Sequence, residues 1–296
     1  MTDQDVTDRT GEVIADRYEL LSLIGGGAQA QVYRGVDLRV GDHVAVKILS
    51  DKIFQHPEWR ERMFREAHAM TALAGTAAVR VFHQAWTADG ALCLVMELLD
   101  GVDFETHLRE IEARGEELSV DELITLLDPI VDTLEKAHAV GILHRDLKPA
   151  NMYVLRGGGV RLLDFGLAKF VRLGGLTLGG FVAGTPTYIA PEGWLGDPTI
   201  LDQRIDVYSL AVVIYRALAG EPPFSGKSAI EIRRLATSAE RPSLFAKRPD
   251  LGEGIDEWVK AALAIDPAER FMRVSAMWTA FKSEAKKKVS AVPDGG

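Results

Sequence analysis

The hydrophobic rhythm of the chain changes about a third of the way along. From Tyr18 to Leu98 the apolar residues fall in short β-type runs, Tyr18–Ile24, Gln31–Val36, His43–Leu49, Val79–Trp86 and Ala91–Leu98, punctuated by glycine and aspartate. β-Branched and aromatic residues between turn formers predict an antiparallel meander, with Asp89-Gly90 as the turn between the last two runs. One helix interrupts the runs over Pro57–Leu73, with proline near its start and Glu58 and Glu61 in its first turns. Beyond Asp100 the period becomes helical. Val120–Val140 starts from Ser119 as an N-cap and stops at Gly141. Asp202–Ala219, Ser228–Ala236, Gly254–Ala264 and Val274–Lys286 read as further helices, and short β runs at Met152–Leu155 and Val160–Leu163 bracket the glycines at 157–159. Residues 1–17 are polar and acidic without an apolar period, which predicts a mobile arm. The chain therefore divides into that arm, a β-rich part over 18–99, a helical part over 100–285 and a basic tail over 286–296, an α+β class without internal repeats.

Composition narrows the setting. At 296 residues, 47% hydrophobic and 26% charged, the chain can bury one large core or two smaller ones around a cleft. A net charge of −9 argues against general nucleic-acid binding, because a phosphate backbone favours basic partners. The single cysteine, Cys93, excludes an intrachain disulfide and fits a reducing compartment; inside the apolar run Ala91–Met96 it is expected to be a packed strand residue. The most apolar stretch, Leu210–Ala219, contains Arg216 and falls short of the ~20 residues a membrane helix needs. The first residues do not resemble a secretory signal. These features predict a cytoplasmic chain without a membrane span, free-standing or the cytoplasmic catalytic part of a longer receptor. Lys286-Lys287-Lys288 would then be a juxtamembrane patch or, more simply, a solvated helix end.

The chemistry concentrates in His144-Arg145-Asp146-Leu147-Lys148-Pro149-Ala150-Asn151, followed by Asp164-Phe165-Gly166. The run supplies a base, a phosphate-binding lysine and two side-chain oxygens for metal in a fixed order, which are parts that phosphoryl transfer needs. Upstream, Gly25-Gly26-Gly27-Ala28-Gln29-Ala30-Gln31-Val32 joins two predicted strands, and glycines there let backbone amides approach phosphate oxygens. Val44-Ala45-Val46-Lys47 closes the third strand, and Ala190-Pro191-Glu192 lies downstream.

Together these motifs resemble the protein kinase superfamily, in particular bacterial serine/threonine kinases of the eukaryotic-like type, and the resemblance runs from about Tyr18 to about Lys282. It implies a bilobal fold, a β-rich lobe with one main helix and a mainly helical lobe. It implies Asp146 as base, Lys148 neutralising charge on the transferring phosphoryl group, and Lys47 on the α- and β-phosphates of ATP, paired with Glu66 of the following helix over its competitors Glu61 and Glu58, one to two turns earlier. Asn151 and Asp164 would hold Mg²⁺ or Mn²⁺, hard ions that prefer oxygen. Gly25, Gly26, Gly27 and Ala28 would cradle phosphate. Val32, Ala45, Met96, Glu97, Leu99 and Tyr153 would surround adenine, with Met96 as gatekeeper and Glu97 and Leu99 offering backbone hydrogen bonds. Ala30 departs from the family's third glycine, and Tyr153 stands where an aliphatic floor is usual.

The resemblance also gives His144 a packing role, makes Glu192 and Arg270 a buried ion pair, and makes Asp206 an anchor for the catalytic loop. Lys148 and Thr185 point to Ser/Thr acceptors, and the segment ending at Ala190-Pro191-Glu192 points to protein substrates. Arg145 beside the base implies control by phosphate added between Asp164 and Glu192, with Thr177, Thr185 and Thr187 as acceptors and Thr177 the most central; a homodimer would serve transfer in trans. A signalling scaffold without catalysis and a small-molecule kinase are the rival readings. Lys47, Asp146, Asn151 and Asp164 weigh against the first, and the platform segment against the second.

Overall fold

The computed structural model describes residues 8–27, 30–49, 70–165 and 186–286. They form two compact units, one of Met1–Ala74 with Ala78–Asp100 and the other of Gly75–Ala77 with Gly101–Gly296.

The first unit is a six-stranded antiparallel sheet. Its strands are β1 (Val13–Ile14), β2 (Tyr18–Gly26), β3 (Ala30–Asp37), β4 (His43–Leu49), β5 (Val81–Trp86) and β6 (Leu92–Glu97), in the order β1-β2-β3-β4-β6-β5. Strand alternation puts Tyr18, Leu20, Tyr33, Val44, Val46, Ile48, Ala85, Cys93 and Val95 into one core. Burial pushes the Cys93 thiol up to about 12, so it stays protonated and inert, as its apolar setting predicts.

The mobile arm expected over 1–17 is corrected from Asp8 on, and residues 1–7 lie outside the described residues. Residues 8–14 lie on the sheet, β1 pairs Val13 with Glu19 and Ile14 with Tyr18, and Ile14 enters the core. A left-handed turn at Ala15 and Asp16 (φ +53° and +52°) reverses the chain without the Asn-Gly signature that announces such turns. A two-residue strand is also too short to show a period. Of the predicted helix Pro57–Leu73, only the end falls among the described residues, where Met70–Leu73 forms a 3₁₀ turn.

The second unit holds a small sheet, β7 (Gly101–Asp103), β8 (Met152–Leu155) and β9 (Val160–Leu162), and six described helices. These are α1 (Phe104–Ala113), α2 (Val120–Ala139), α3 (Arg204–Ala219), α4 (Ala229–Ser238), α5 (Ile255–Ala262) and α6 (Val274–Ala285). Ser119 caps α2 through its hydroxyl as the sequence predicts, and Asp103 caps α1. Every residue of α3 from Ile205 to Leu218 is buried, which makes this apolar helix the core of the unit. The tripeptide Gly75–Ala77 belongs here because Ala77 N–H donates to Thr133 Oγ1 (2.9 Å) and Leu162 N–H donates to the Ala77 carbonyl (2.7 Å). No described helix is long and apolar enough to cross a membrane.

Candidate active site

The catalytic loop leaves α2 at Gly141, whose positive φ (+77°) ends the helix, and runs to β8. It is fastened from beneath by Asp206, fully buried in the first turn of α3. One carboxylate oxygen accepts the Arg145 N–H (2.8 Å); the other accepts the His144 N–H (2.8 Å) and lies 2.8 Å from His138 Nε2. Burial alone would raise this carboxyl, but the His138 hydrogen bond and charge, with the His144 amide, outweigh it and hold Asp206 below the usual carboxylate range. The anchoring has a clear object. Arg145 adopts φ +63°, a left-handed conformation that costs an ordinary residue about 1–2 kcal/mol, and the charge-assisted hydrogen bonds to Asp206 offset it.

His144 is the packing residue the resemblance implies. It is buried, its Nε2 lies 2.8 Å from the Leu163 carbonyl, and its Nδ1 accepts the Asp146 N–H (3.3 Å). Its ring contacts Phe165 at 4.8 Å between centroids. This pattern requires the neutral Nε2–H tautomer, and burial holds its pKa below the ordinary value despite nearby Asp206 and Asp146.

Above these supports the reactive groups gather. Lys148 Nζ donates to Asp146 Oδ2 (2.8 Å), and Asn151 Nδ2 reaches both the Asp146 carbonyl (2.8 Å) and Oδ2 (3.0 Å). Asn151 sits in the 3₁₀ turn Pro149–Asn151, and its carbonyl accepts the Leu163 N–H (2.8 Å), which ties the loop to the end of β9. Asp164, just after β9, adopts φ +56°, also left-handed for a non-glycine residue. Left-handed strain at polar, non-glycine positions such as Arg145 and Asp164 is concentrated at functional sites. Because the Asn151 amide nitrogen is committed to Asp146, its side-chain oxygen is the end left to face a cation. Two side-chain oxygens suit Mg²⁺, which usually takes one or two carboxylates and completes its shell with phosphate and water.

Tyr153, on β8, donates its hydroxyl to the Gly101 carbonyl (2.9 Å). Gly101 is itself obligatory, since a Cβ there would fall 2.0 Å from the Val154 carbonyl oxygen. On the platform side, Glu192 and Arg270 form the expected pair, bidentate at 2.7 and 2.8 Å and buried. Thr187 is only 6% exposed, so as placed its hydroxyl is closed to modification. Thr177 and Thr185 lie outside the described residues, as do Glu66, Ala28 and Gly166.

In the first unit, Lys47 lies on β4 between Val32 and Leu94, and Ala45 lies between Arg34 and Met96. Glu97 ends β6, donating its N–H to the Arg80 carbonyl (3.0 Å), and Leu99 follows. Gly25 and Gly26 pair with Val32 and Gln31 across the hairpin. None of Gly25, Gly26 and Gly27 has a positive φ, and an added Cβ would meet nothing nearer than 3.9 Å. The fold does not require glycine at these positions. A bare backbone with open space around it leaves its amides accessible to a ligand's oxygens.

Sequence reasoning missed His138. It reads as a polar residue near a helix end, and only its partner Asp206, 68 residues later, reveals its part in the site.

Comparison with known proteins agrees with this arrangement. Residues 18–281 match the protein kinase domain family. The chain is 35% identical over 274 residues to the probable serine/threonine-protein kinase PknB of Corynebacterium glutamicum, covering 90% of this chain and 42% of that protein. It is 36% identical over 270 residues to the serine/threonine-protein kinase PknA of Mycobacterium tuberculosis, covering 90% and 61%. The chain thus spans well under two thirds of the length of these relatives. Among solved structures, the PknI kinase domain of M. tuberculosis superposes with a TM-score of 0.73 at 28% identity, over 93% of this chain and 99% of that one. The chain belongs to the protein kinase family, as a kinase domain of the bacterial serine/threonine type with the α+β kinase fold.

Proposed function

We propose that the chain transfers the γ-phosphate of ATP to serine or threonine hydroxyls of proteins. The observation that carries this is the Asp146 carboxylate held by Lys148 and Asn151 on a strained, anchored loop. Asp146 accepts the proton of the acceptor hydroxyl and aims its oxygen at phosphorus. Lys148, already on Asp146, neutralises charge that builds on the transferring group. Asp164 and Asn151 hold Mg²⁺ or Mn²⁺, which supplies neutralisation of the phosphates when bound. Lys47, with Glu66, orients the α- and β-phosphates, Gly25–Gly27 receive them through the backbone, and Val32, Ala45, Met96, Glu97, Leu99 and Tyr153 enclose adenine.

Regulation belongs to the same proposal. Phosphate on Thr177 or Thr185 would order the loop against Arg145, delivered by a second copy of the chain; burial of Thr187 favours the other two. A cytoplasmic setting is the compartment in which ATP and a reduced Cys93 are both expected.

The test is transfer of labelled phosphate from Mg-ATP to a generic protein acceptor. Asp146→Asn should lower the rate by about 10²–10⁴-fold while ATP still binds. A wild-type chain that binds ATP yet phosphorylates no protein would overturn the enzyme reading in favour of a scaffold. Phosphorylation of small hydroxyl compounds alone would favour a small-molecule kinase.

A further inference from the structure

Residues 8–14 precede the stretch that matches the kinase family, which begins at residue 18. Two kinds of contact hold them on the first unit. Ile14, 1% exposed, anchors β1 in the core. Ahead of it, apolar packing gives way to a polar clamp. Gly11 N–H donates to the Leu20 carbonyl (2.8 Å), and Leu20 N–H donates to the Glu12 carbonyl (2.9 Å). The Arg9 backbone N–H donates to the Tyr33 hydroxyl (3.1 Å). Its guanidinium meets both oxygens of Asp89, one at 3.1 Å, and reaches Glu12 at 3.1 Å. An open groove of about 530 Å³ is lined by Asp8 and Thr10 of the strap and by Leu21, Ser22, Leu23 and Tyr33 of the sheet. Hydrogen bonding to Leu20 and the contacts of Arg9, rather than apolar burial, hold residues 8–12 down.

The strand beneath needs support. The pairing of β2 with β3 breaks register twice, between Leu20 and Ser22 and between Leu23 and Gly25. Such irregularities weaken and bend a ladder. Leu21, Leu23 and Ile24 are 37%, 46% and 51% exposed, so little packing steadies the stretch that leads into Gly25–Gly27. The strap ends its pairing at Leu20, beside the first break. Arg9 grips Tyr33, the residue opposite Leu23 between the two breaks, and ties it to the β5–β6 turn at Asp89.

We propose that Arg9 is a positioning residue for the nucleotide: clamped across the sheet, it keeps the glycine hairpin in register and tightens ATP binding without touching ATP. This rests on the reading of Gly25–Gly27 as the phosphate cradle. A looser hairpin lowers affinity by the fraction of time it is competent to bind. With Asp89 about half exposed, the clamp is a modest one, and its loss in Arg9→Ala should raise Kd and KM for ATP by about two- to five-fold. Turnover at saturating ATP and KM for the protein acceptor should stay close to wild type, the signature of lost uniform binding.

The experiment measures binding of a fluorescent ATP analogue to the full chain, which reads affinity whether or not phosphate is transferred, together with steady-state kinetics. Asp89→Ala should reproduce the loss, and the exchanged pair Arg9→Asp with Asp89→Arg should recover most of it. Equal ATP binding by wild type, Arg9→Ala and Asp89→Ala would overturn the role of Arg9 and leave the cradle standing. Failure of the wild type to bind ATP would instead count against the cradle.

Discussion

Asp206→Asn removes one charge from beneath the catalytic loop while keeping the side chain's shape. Asp206 receives three donors, two on one oxygen and one on the other. An asparagine can keep its oxygen toward His138 and the His144 amide only by turning its NH₂ toward the Arg145 N–H. That loses one hydrogen bond to a charged group, worth about 1.5–3 kcal/mol, and weakens two others from charged to neutral, about 1 kcal/mol each. The sum is about 3–5 kcal/mol, a large part of the ~5–15 kcal/mol that holds a domain together. Since the Arg145 turn then lacks its anchor, the folded fraction should also transfer phosphate more slowly. Urea unfolding, followed by the fluorescence of Trp194, Trp258 and Trp278, would read the stability, and phosphate transfer at low temperature would read the activity. The difference carries a pH signature. A carboxyl held below its unfolded pKa contributes stability that is present above about pH 4 and lost as pH falls through the folded value. The gap between wild type and variant should therefore persist from pH 8 to 5 and narrow below about pH 4. His138→Gln, which retains a donor, should cost less than His138→Leu. A variant Asp206→Asn with wild-type midpoint and turnover would refute the reasoning.

Two further outcomes follow from the same supports. His144 is buried with its pKa below the ordinary histidine value, so its contribution is present above about pH 6.5 and is lost as pH falls toward the folded pKa, at up to about 1.4 kcal/mol per pH unit. His144→Phe, which keeps the ring contact with Phe165, should flatten the fall of unfolding free energy between pH 6.5 and 5; an unchanged slope would count against it. Glu192→Gln should cost about 3–5 kcal/mol by leaving the Arg270 charge buried without its carboxylate. Arg270→Met should cost more, because the guanidinium also serves the carbonyls of Ala264, Ile265 and Arg204. Denaturant titrations that rank these two the other way would contradict the assignment.

What was legible in the sequence was what repeats or lies contiguous. Strands β2–β6 and the long helix α2 announced themselves by period, and α2 also by Ser119 and Gly141. The catalytic loop was legible because its chemistry is packed into eight consecutive residues. β1 was hidden, since two residues carry no period and its turn uses Ala15 and Asp16. α1 was not picked out as an element although Phe104, Leu108 and Ile111 fall at i, i+4 and i+7, because a stripe of three in ten residues is a weak signal. Burial itself was invisible: Thr187 offers the same hydroxyl as any threonine until the fold encloses it. His138 was invisible for a related reason, as its meaning depends on a carboxylate far along the chain.

The capture of Ala77 by Thr133 and Leu162 bears on how the protein is made. The receiving hydroxyl lies 56 residues downstream, so at ~5–20 residues per second the ribosome delivers it about 3–11 s after Ala77 has emerged. Vectorial synthesis can finish most of the amino-terminal sheet in that interval, yet one tripeptide must wait for a polypeptide not yet translated. An excision at Gly101 would strand the Leu162 amide, at about 1–3 kcal/mol if left dry, while the Thr133 hydroxyl keeps its bond to the Pro129 carbonyl. The second compact unit therefore contains three residues translated well before the rest of it.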